Sequence, residues 1–353
     1  MKKTGVIDAV VFGITGYTGG ELQKLLRPDR RFRTHGVTHD LSSDKAKALA
    51  DIPGTTMHQG DLNDKASIVA VLQKVKEQIP AGEPVRIKIL VVVDYWKGCE
   101  MKGVVQEAQY KNVADAVREF GVENVEVIVR VTLDDLDQYF PKGDSGLPLL
   151  EGDCIAPHFT FPARAKKHYD GLPVVDIETT MYPNNVRFGL HPYPAADGFS
   201  LYLPIRPEAK VAVVDPSTTA RVAHTIMLDG TGAFIGETLT IVDEFIPCAE
   251  MTEVLSDLFK VKVTFVQSDE AEARKVMGNE MVNMVRAYDL AEKPFCERRN
   301  IERTRELAGR TWSYRESVVA NRAEFEGVLK PKEETPAAPL APEVKEEVTA
   351  ATK

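Results

Sequence analysis

Between residues 6 and 131 the chain alternates short β-branched runs with longer stretches of helical period. Residues 6–12 (VIDAVVF) read as a strand, 19–26 as a helix opening, 32–38 as a second strand and 42–50 as a second helix. Residues 55–59 are short and β-rich. Ile68, Val69, Val71, Leu72 and Val75 then recur at helical spacing within residues 64–78, with Asn63 or Asp64 placed to cap that helix. Residues 87–93 form a nearly unbroken β-branched run, as expected for a strand covered on both faces of a parallel sheet. Residues 104–120 make a long amphipathic helix closed by Gly121, and 125–131 a fifth strand. Parallel neighbours need crossover helices of one hand, so this alternation predicts an α/β fold built on a doubly wound parallel sheet.

Past residue 140 the rhythm loosens. Residues 141–157, rich in Gly, Pro and Asp, read as a surface loop, 163–169 as a helix and 174–178 as a strand. The proline-dense stretch 182–216 predicts irregular structure with short strands. Helices are expected over 218–228, 249–259, 270–290 and 302–308, and a strand over 238–242. The charged run 297–310 reads as a solvated helix face. After Leu329 the Pro/Ala/Glu/Lys-rich tail offers too little apolar surface to offset chain entropy, which predicts disorder over 330–353. The division that follows is residues 1–150 for a nucleotide-type unit and 151–329 for a smaller α+β substrate-side region that partly completes the sheet.

Composition narrows the function classes. With 43% hydrophobic and 27% charged residues the chain is of globular type. No run of about 18 uncharged apolar residues occurs, so a membrane partner is not expected. Met1-Lys2-Lys3 leads straight into the first strand without a cleavage-site pattern, and Cys99, Cys154, Cys248 and Cys296 stand far apart, which together predict a cytoplasmic location. A formal charge of -9 is the wrong sign for non-specific nucleic-acid binding. The seven histidines show no metal-ligand spacing, so no metal site is expected.

The strongest local signal is Gly13-Ile14-Thr15-Gly16-Tyr17-Thr18-Gly19-Gly20, directly after the first strand and opening a helix. Gly13 permits the tight turn, Gly16 lets backbone approach a pyrophosphate, and Gly19 lets helix and sheet pack closely. The helix then presents free N–H groups and a partial positive charge to phosphates. In its strand–turn–helix setting this predicts a Rossmann-type dinucleotide site.

The spacing GxxGxxG is the form found in extended or atypical short-chain dehydrogenase/reductases. The segments VFGITGYTGGEL, QGDLND, VDYWKG, YKNVADAVREFGV and TTMYPNN follow one another in the order and spacing of the NmrA-like family, which the chain resembles over roughly residues 6–325. That resemblance implies an NAD(P)-binding protein, with Gly13, Thr15, Gly16, Tyr17, Thr18 and Gly19 at the pyrophosphate and Asp61 and Leu62 at the adenine. It implies Asp94 and Tyr95 beside the ribose, and Tyr182 and Asn185 against the nicotinamide. Plainer roles are open to some of these: Asp61 as a helix cap, Tyr95 and Trp96 as sheet-edge packing.

Three departures bear on activity. Where members of the family carry an arginine for the 2′-phosphate of NADP, this chain has Thr38-His39-Asp40, so the cofactor is left as NADP or NAD, with Lys45 or Lys47 as substitute cations. The lysine the resemblance places after His158-Phe159 falls near Pro162, with Lys166 displaced by about one helical turn. The pair Tyr139 and Lys142 falls one residue short of YxxxK, and the fifth strand ends Val129-Arg130-Val131-Thr132, where the resemblance places a catalytic Ser or Thr. Thr132 and Lys166 are thus the catalytic candidates. The reading favoured is a nucleotide or redox sensor with no or weak turnover, signalling to a protein partner or a homodimer. An NAD(P)H-dependent oxidoreductase acting on a quinone or small carbonyl is the alternative, and a structural subunit that has lost the cofactor is third.

Overall fold

The computed structural model describes residues 5–93, 103–140, 145–187 and 190–330. In the first half, β1 (Ile7–Phe12) leads through α1 (Tyr17–Leu26), β2 (Phe32–Thr38), α2 (Asp44–Ala50), β3 (Thr55–Gln59), α3 (Lys65–Glu77), β4 (Ile87–Val91) and α4 (Gly103–Phe120) to β5 (Val125–Thr132). These bounds fall within two residues of those the periodicity predicts. The cap of α3 is Asp64, whose carboxylate accepts from the Ala66 amide at 2.9 Å.

The second half runs α5 (Pro157–Arg164), β6 (Val174–Glu178), β7 (Tyr193–Ala195), β8 (Gly198–Leu203), β9 (Lys210–Val213), α6 (Pro216–Leu228) and β10 (Thr238–Thr240). It continues with β11 (Glu244–Pro247), α7 (Cys248–Phe259), β12 (Val263–Gln267), α8 (Glu270–Leu290), α9 (Glu292–Glu297), α10 (Ile301–Ala308), α11 (Tyr314–Ala320) and α12 (Arg322–Val328).

Seven strands form one parallel sheet in the order β10-β6-β5-β4-β1-β2-β3. The order reverses between β1 and β4, which opens a crevice at their carboxyl ends. α1 and α6 cover one face through Leu22, Leu26, Ala223 and Met227. α3 and α4 cover the other through Ile68, Leu72, Val113 and Val117. β1 and β4 are buried at every position between these layers, which is why both read as apolar runs broken only by Asp8 and Lys88. A third core fills the substrate-side region, where the small sheets β12-β8-β7 and β11-β9 pack with α7, α8 and α11 around Leu201, Val211, Leu255 and Met284.

The structure differs from the sequence-based expectations in four places. The helix expected over 163–169 starts earlier, because Pro157 suits a first helical position, and it gives way at Ala165–Tyr169 to a 3-10 turn. The helix over 270–290 is bent at Gly278, which holds φ 80°. β11, β12, α9, α11 and α12 were not foreseen. The run 297–310 is not simply a solvated face, since the side chain of Arg299 is wholly buried. Asp94, Tyr95, Trp96, Cys99, Lys142 and residues 331–353 lie outside the described residues.

Candidate functional site

The bend after β1 is built from glycine for steric reasons. Gly13 holds φ 82°, and a Cβ there would lie 2.8 Å from the Val92 carbonyl oxygen at the end of β4. At Gly19 a Cβ would lie 2.3 Å from the Gly13 carbonyl oxygen and 2.7 Å from the Ile14 Cα, so helix and bend can approach only without a side chain. Gly16 is different: among the described residues a Cβ there would meet only the Gly13 oxygen, at 3.3 Å. Gly16 is also the N-cap of α1 and, having no side chain, gives that helix no cap of its own. By contrast Ser43, Asp64 and Asp215 cap α2, α3 and α6. An uncapped helix start facing an open hollow fits a phosphate-bearing group, which would complete the amides that side chains satisfy at α2, α3 and α6, although α5 and α7 also begin without a side-chain cap.

Around this bend the structure gathers most of the expected positions. The Thr18 hydroxyl lies 3.1 Å from the Tyr182 phenol, which in turn reaches Thr219 at 3.4 Å. Lys45 on α2 donates to the Thr15 carbonyl at 3.5 Å. His39 is exposed at the end of β2. Asp40 turns its carboxylate to Ser42, accepting from the Ser42 amide at 2.8 Å and its hydroxyl at 2.6 Å. Asp61 and Leu62 follow β3, beside the end of β2, where the Gly60 amide donates to the Thr38 carbonyl. The Asp61 carboxylate accepts from the Asn63 amide and side chain, both at 2.9 Å, while the helix cap is Asp64.

One contact was invisible in the sequence. α12 carries Glu324 onto the bend, where the Tyr17 phenol donates to its two carboxylate oxygens at 3.2 and 3.1 Å and Asn184 donates at 2.7 Å.

From the bend a cavity of about 250 Å³ runs into the substrate-side region. Its mouth is set by Val92, Thr132, Tyr182 and Asn185, and its far end by Met251, Met281, Met284 and Tyr314. Pro162 lines it where the family resemblance expects a lysine. Lys166 does not reach it: the 3-10 turn after α5 sends the ammonium to the Thr238 hydroxyl at 2.7 Å and toward Asp176 at 3.6 Å. That placement takes Lys166 out of consideration as an acid at this site. Thr132 lines the cavity with its hydroxyl 3.5 Å from the Ile177 carbonyl.

The shifted titratable groups along the cavity lie far from neutrality. Burial pushes the His158 imidazole down to about 3. It pushes the Tyr288 phenol up to about 12, and the Cys248 thiol up to about 12 with the Asp289 and Glu292 carboxylates adding to it. The Tyr314 phenol is likewise raised by burial. Among the described residues, no group of three or more His, Cys, Asp or Glu is arranged to hold a metal ion. No described helix is long and apolar enough to cross a membrane.

Behind the cavity lies an ionic network. Asp134, wholly buried, accepts from Arg298 at 2.7 Å, from Tyr139 at 2.9 Å and from Arg299. Arg298 also meets Glu178 at 3.0 Å. Burial, with the Asp134 carboxylate adding, pushes Glu178 up to about 7. A carboxyl that keeps its proton in the folded chain, after the unfolded chain has released it, removes stability as pH rises through that window. His58, pushed down to about 4 by burial, acts in the opposite direction below its ordinary value. The Glu178 contribution is therefore expected as a difference. Relative to the parent chain, Glu178→Gln should gain about 2–3 kcal/mol between pH 5 and pH 8, by urea unfolding at each pH. A difference that stays flat would show that Glu178 titrates as an ordinary carboxyl, and one that falls that its ion pair with Arg298 outweighs burial.

The fold and the glycine bend define a Rossmann-type protein with the strand order of dinucleotide-fold proteins. Residues 7–125 match the model of the NmrA-like family. The whole fold resembles NmrA, a negative transcriptional regulator solved with NAD, at TM-score 0.66 and 17% identity, covering 92% of this chain and 98% of that one. The same regulator solved with NADP matches at TM-score 0.65, 17% identity, and 92% and 98% coverage. An NADPH-dependent quinone oxidoreductase of Escherichia coli, solved with NADPH, matches at TM-score 0.61 and 18% identity, covering 89% and 99%.

Proposed function

We propose that this chain binds NAD or NADP in the crevice between β1 and β4 and acts as a dinucleotide sensor or regulator with no or weak turnover. In this reading Gly13, Thr15, Gly16, Tyr17, Thr18 and Gly19 hold the pyrophosphate. Asp61 and Leu62 lie at the adenine, His39 near the adenosine ribose, and Tyr182 and Asn185 at the nicotinamide end. Residues 1–150 then form the nucleotide unit and 151–329 the substrate side. Occupancy is read out in the cytoplasm by a protein partner or by a homodimer. The observation that carries the reading is an open, uncapped glycine bend beside a cavity whose shifted titratable groups sit far from pH 7. A general acid works best with a pKa near the operating pH. Isothermal titration with NAD, NADH, NADP and NADPH tests it, and failure of all four to bind below about 1 mM would overturn it.

Lys45 supplies the cation that His39 does not. Lys45→Glu is expected to weaken NADP(H) about tenfold or more relative to NAD(H), the size of one lost charge-assisted contact. An unchanged ratio would place the 2′-phosphate elsewhere.

The second reading, reduction of a quinone or small carbonyl, is favoured by the apolar cavity opening at Tyr182 and Asn185. Hydride transfer to a quinone can take its proton from solvent. Consumption of NADPH across a quinone and aldehyde panel, abolished by Gly16→Asp, would raise it above the first.

A further inference from the structure

The cavity carries chemical information beyond its position. Among the described residues, no Lys, Arg, Asp or Glu lines it. A charged ligand would therefore be stripped of water with no counter-ion, which is strongly unfavourable. The far end is formed by Met251, Met281 and Met284 together with Leu201 and Leu255, flexible thioethers and branched aliphatics that fit a hydrocarbon body. The volume, about 250 Å³, lies near the lower bound of small-molecule sites.

Most polar atoms at the mouth already have partners. The Thr180 hydroxyl donates to the Ala212 carbonyl at 3.0 Å and meets the Tyr288 phenol at 3.4 Å. The Tyr182 phenol is held by Thr18. Thr179 is a buried exception. It lines the cavity at the end of β6, is 6% exposed, and its hydroxyl has no hydrogen-bond partner among the described residues. A buried hydroxyl left unpaired costs about 1–3 kcal/mol, and a ligand oxygen would recover that. The backbone around it is fixed, with the Thr179 amide donating to the Thr132 carbonyl at 2.9 Å, so the hydroxyl stands in a defined place.

We propose that this cavity binds a small neutral molecule with one oxygen acceptor and an apolar body, the oxygen taking the Thr179 hydroxyl and the body lying among the methionines. The inference rests on reading the cavity as a second site beside the dinucleotide. It excludes carboxylates and phosphates as the cavity's ligand and makes Thr179 a specificity-determining residue.

Calorimetric titration of the full chain with 2-nonanone and with nonanoate, equal in chain length and different in charge, is the direct test. The ketone should bind at least tenfold more tightly. Thr179→Val, which keeps the shape and removes the hydroxyl, should weaken the ketone about three- to tenfold without lowering thermal stability. Met284→Trp, which fills the far end, should abolish ketone binding. Titration of the same samples with NADP and NAD keeps the two readings apart. Dinucleotide binding without ketone binding overturns this inference alone, whereas loss of both overturns the sensor reading as well. Equal affinity for ketone and carboxylate, or a Thr179→Val variant that binds like the parent, also overturns it.

Discussion

Gly16→Asp is expected to fold like the parent chain and to lose dinucleotide binding by at least a hundredfold, while Gly19→Ala, a far smaller change, should lose stability. The asymmetry comes from where the two glycines face. At Gly16 the added carbon meets, among the described residues, only the Gly13 carbonyl oxygen, at 3.3 Å, so a side chain projects into the hollow at the start of α1. A carboxylate there takes the N–H groups and partial positive charge that a pyrophosphate would use, and it repels the phosphates. At Gly19 the added methyl group would lie 2.3 Å from backbone oxygen, and backbone cannot rotate away as a side chain can. Opening α1 from the bend should cost about 3 kcal/mol, the upper end of ordinary overpacking. Urea unfolding and nucleotide titration of both variants check the pair. The account fails if Gly19→Ala is as stable as the parent, or if Gly16→Asp binds NAD and NADP normally.

The same two residues show why so much of the nucleotide half was legible. Each strand from β1 to β4 is bounded by turn chemistry and followed by a helix with its own period, so local pattern and global fold agree. The bend is read from glycine spacing because each glycine answers a local steric demand. The substrate side offers fewer such signals. β11 has four residues, and β12 has a single fully buried position, so neither shows an alternation to detect. α11 and α12 have seven residues each, too short to be stable without the core they pack on. Lys166 illustrates the limit at the site itself. Sequence spacing places it one turn from Pro162, but the chain passes from α-helix to 3-10 geometry in that interval, and the changed pitch turns the side chain toward Thr238. Thr18 with Tyr182, and Tyr17 with Glu324, join residues more than 160 positions apart, and no local pattern encodes such pairs.

Arg298 and Arg299 stand in a run that reads as surface charge, yet they set the second large effect. Removing one partner from a buried ion pair leaves the other charge without water or counter-ion, which costs about 3–5 kcal/mol. Asp134→Ala is therefore expected to destabilise the chain by that amount, since Arg299 is wholly buried and its guanidinium also lies 3.7 Å from the centre of the Phe295 ring. Replacing both partners, Asp134→Leu with Arg299→Met, should recover most of the loss, because the desolvation of two ions disappears along with their attraction. Urea unfolding of the single and double variants decides between this and a surface pair worth under about 1 kcal/mol. The position gives the result a functional side. Asp134 directly follows Leu133 in the cavity wall, and Arg299 lies just before α10 in the segment that ends with α12 and its contact to the glycine bend. If the network anchors that segment, nucleotide affinity should change in Asp134→Ala and return in the double variant, together with stability. Recovery of stability without recovery of affinity would show that the charges themselves, rather than the packing they fix, act on the nucleotide site.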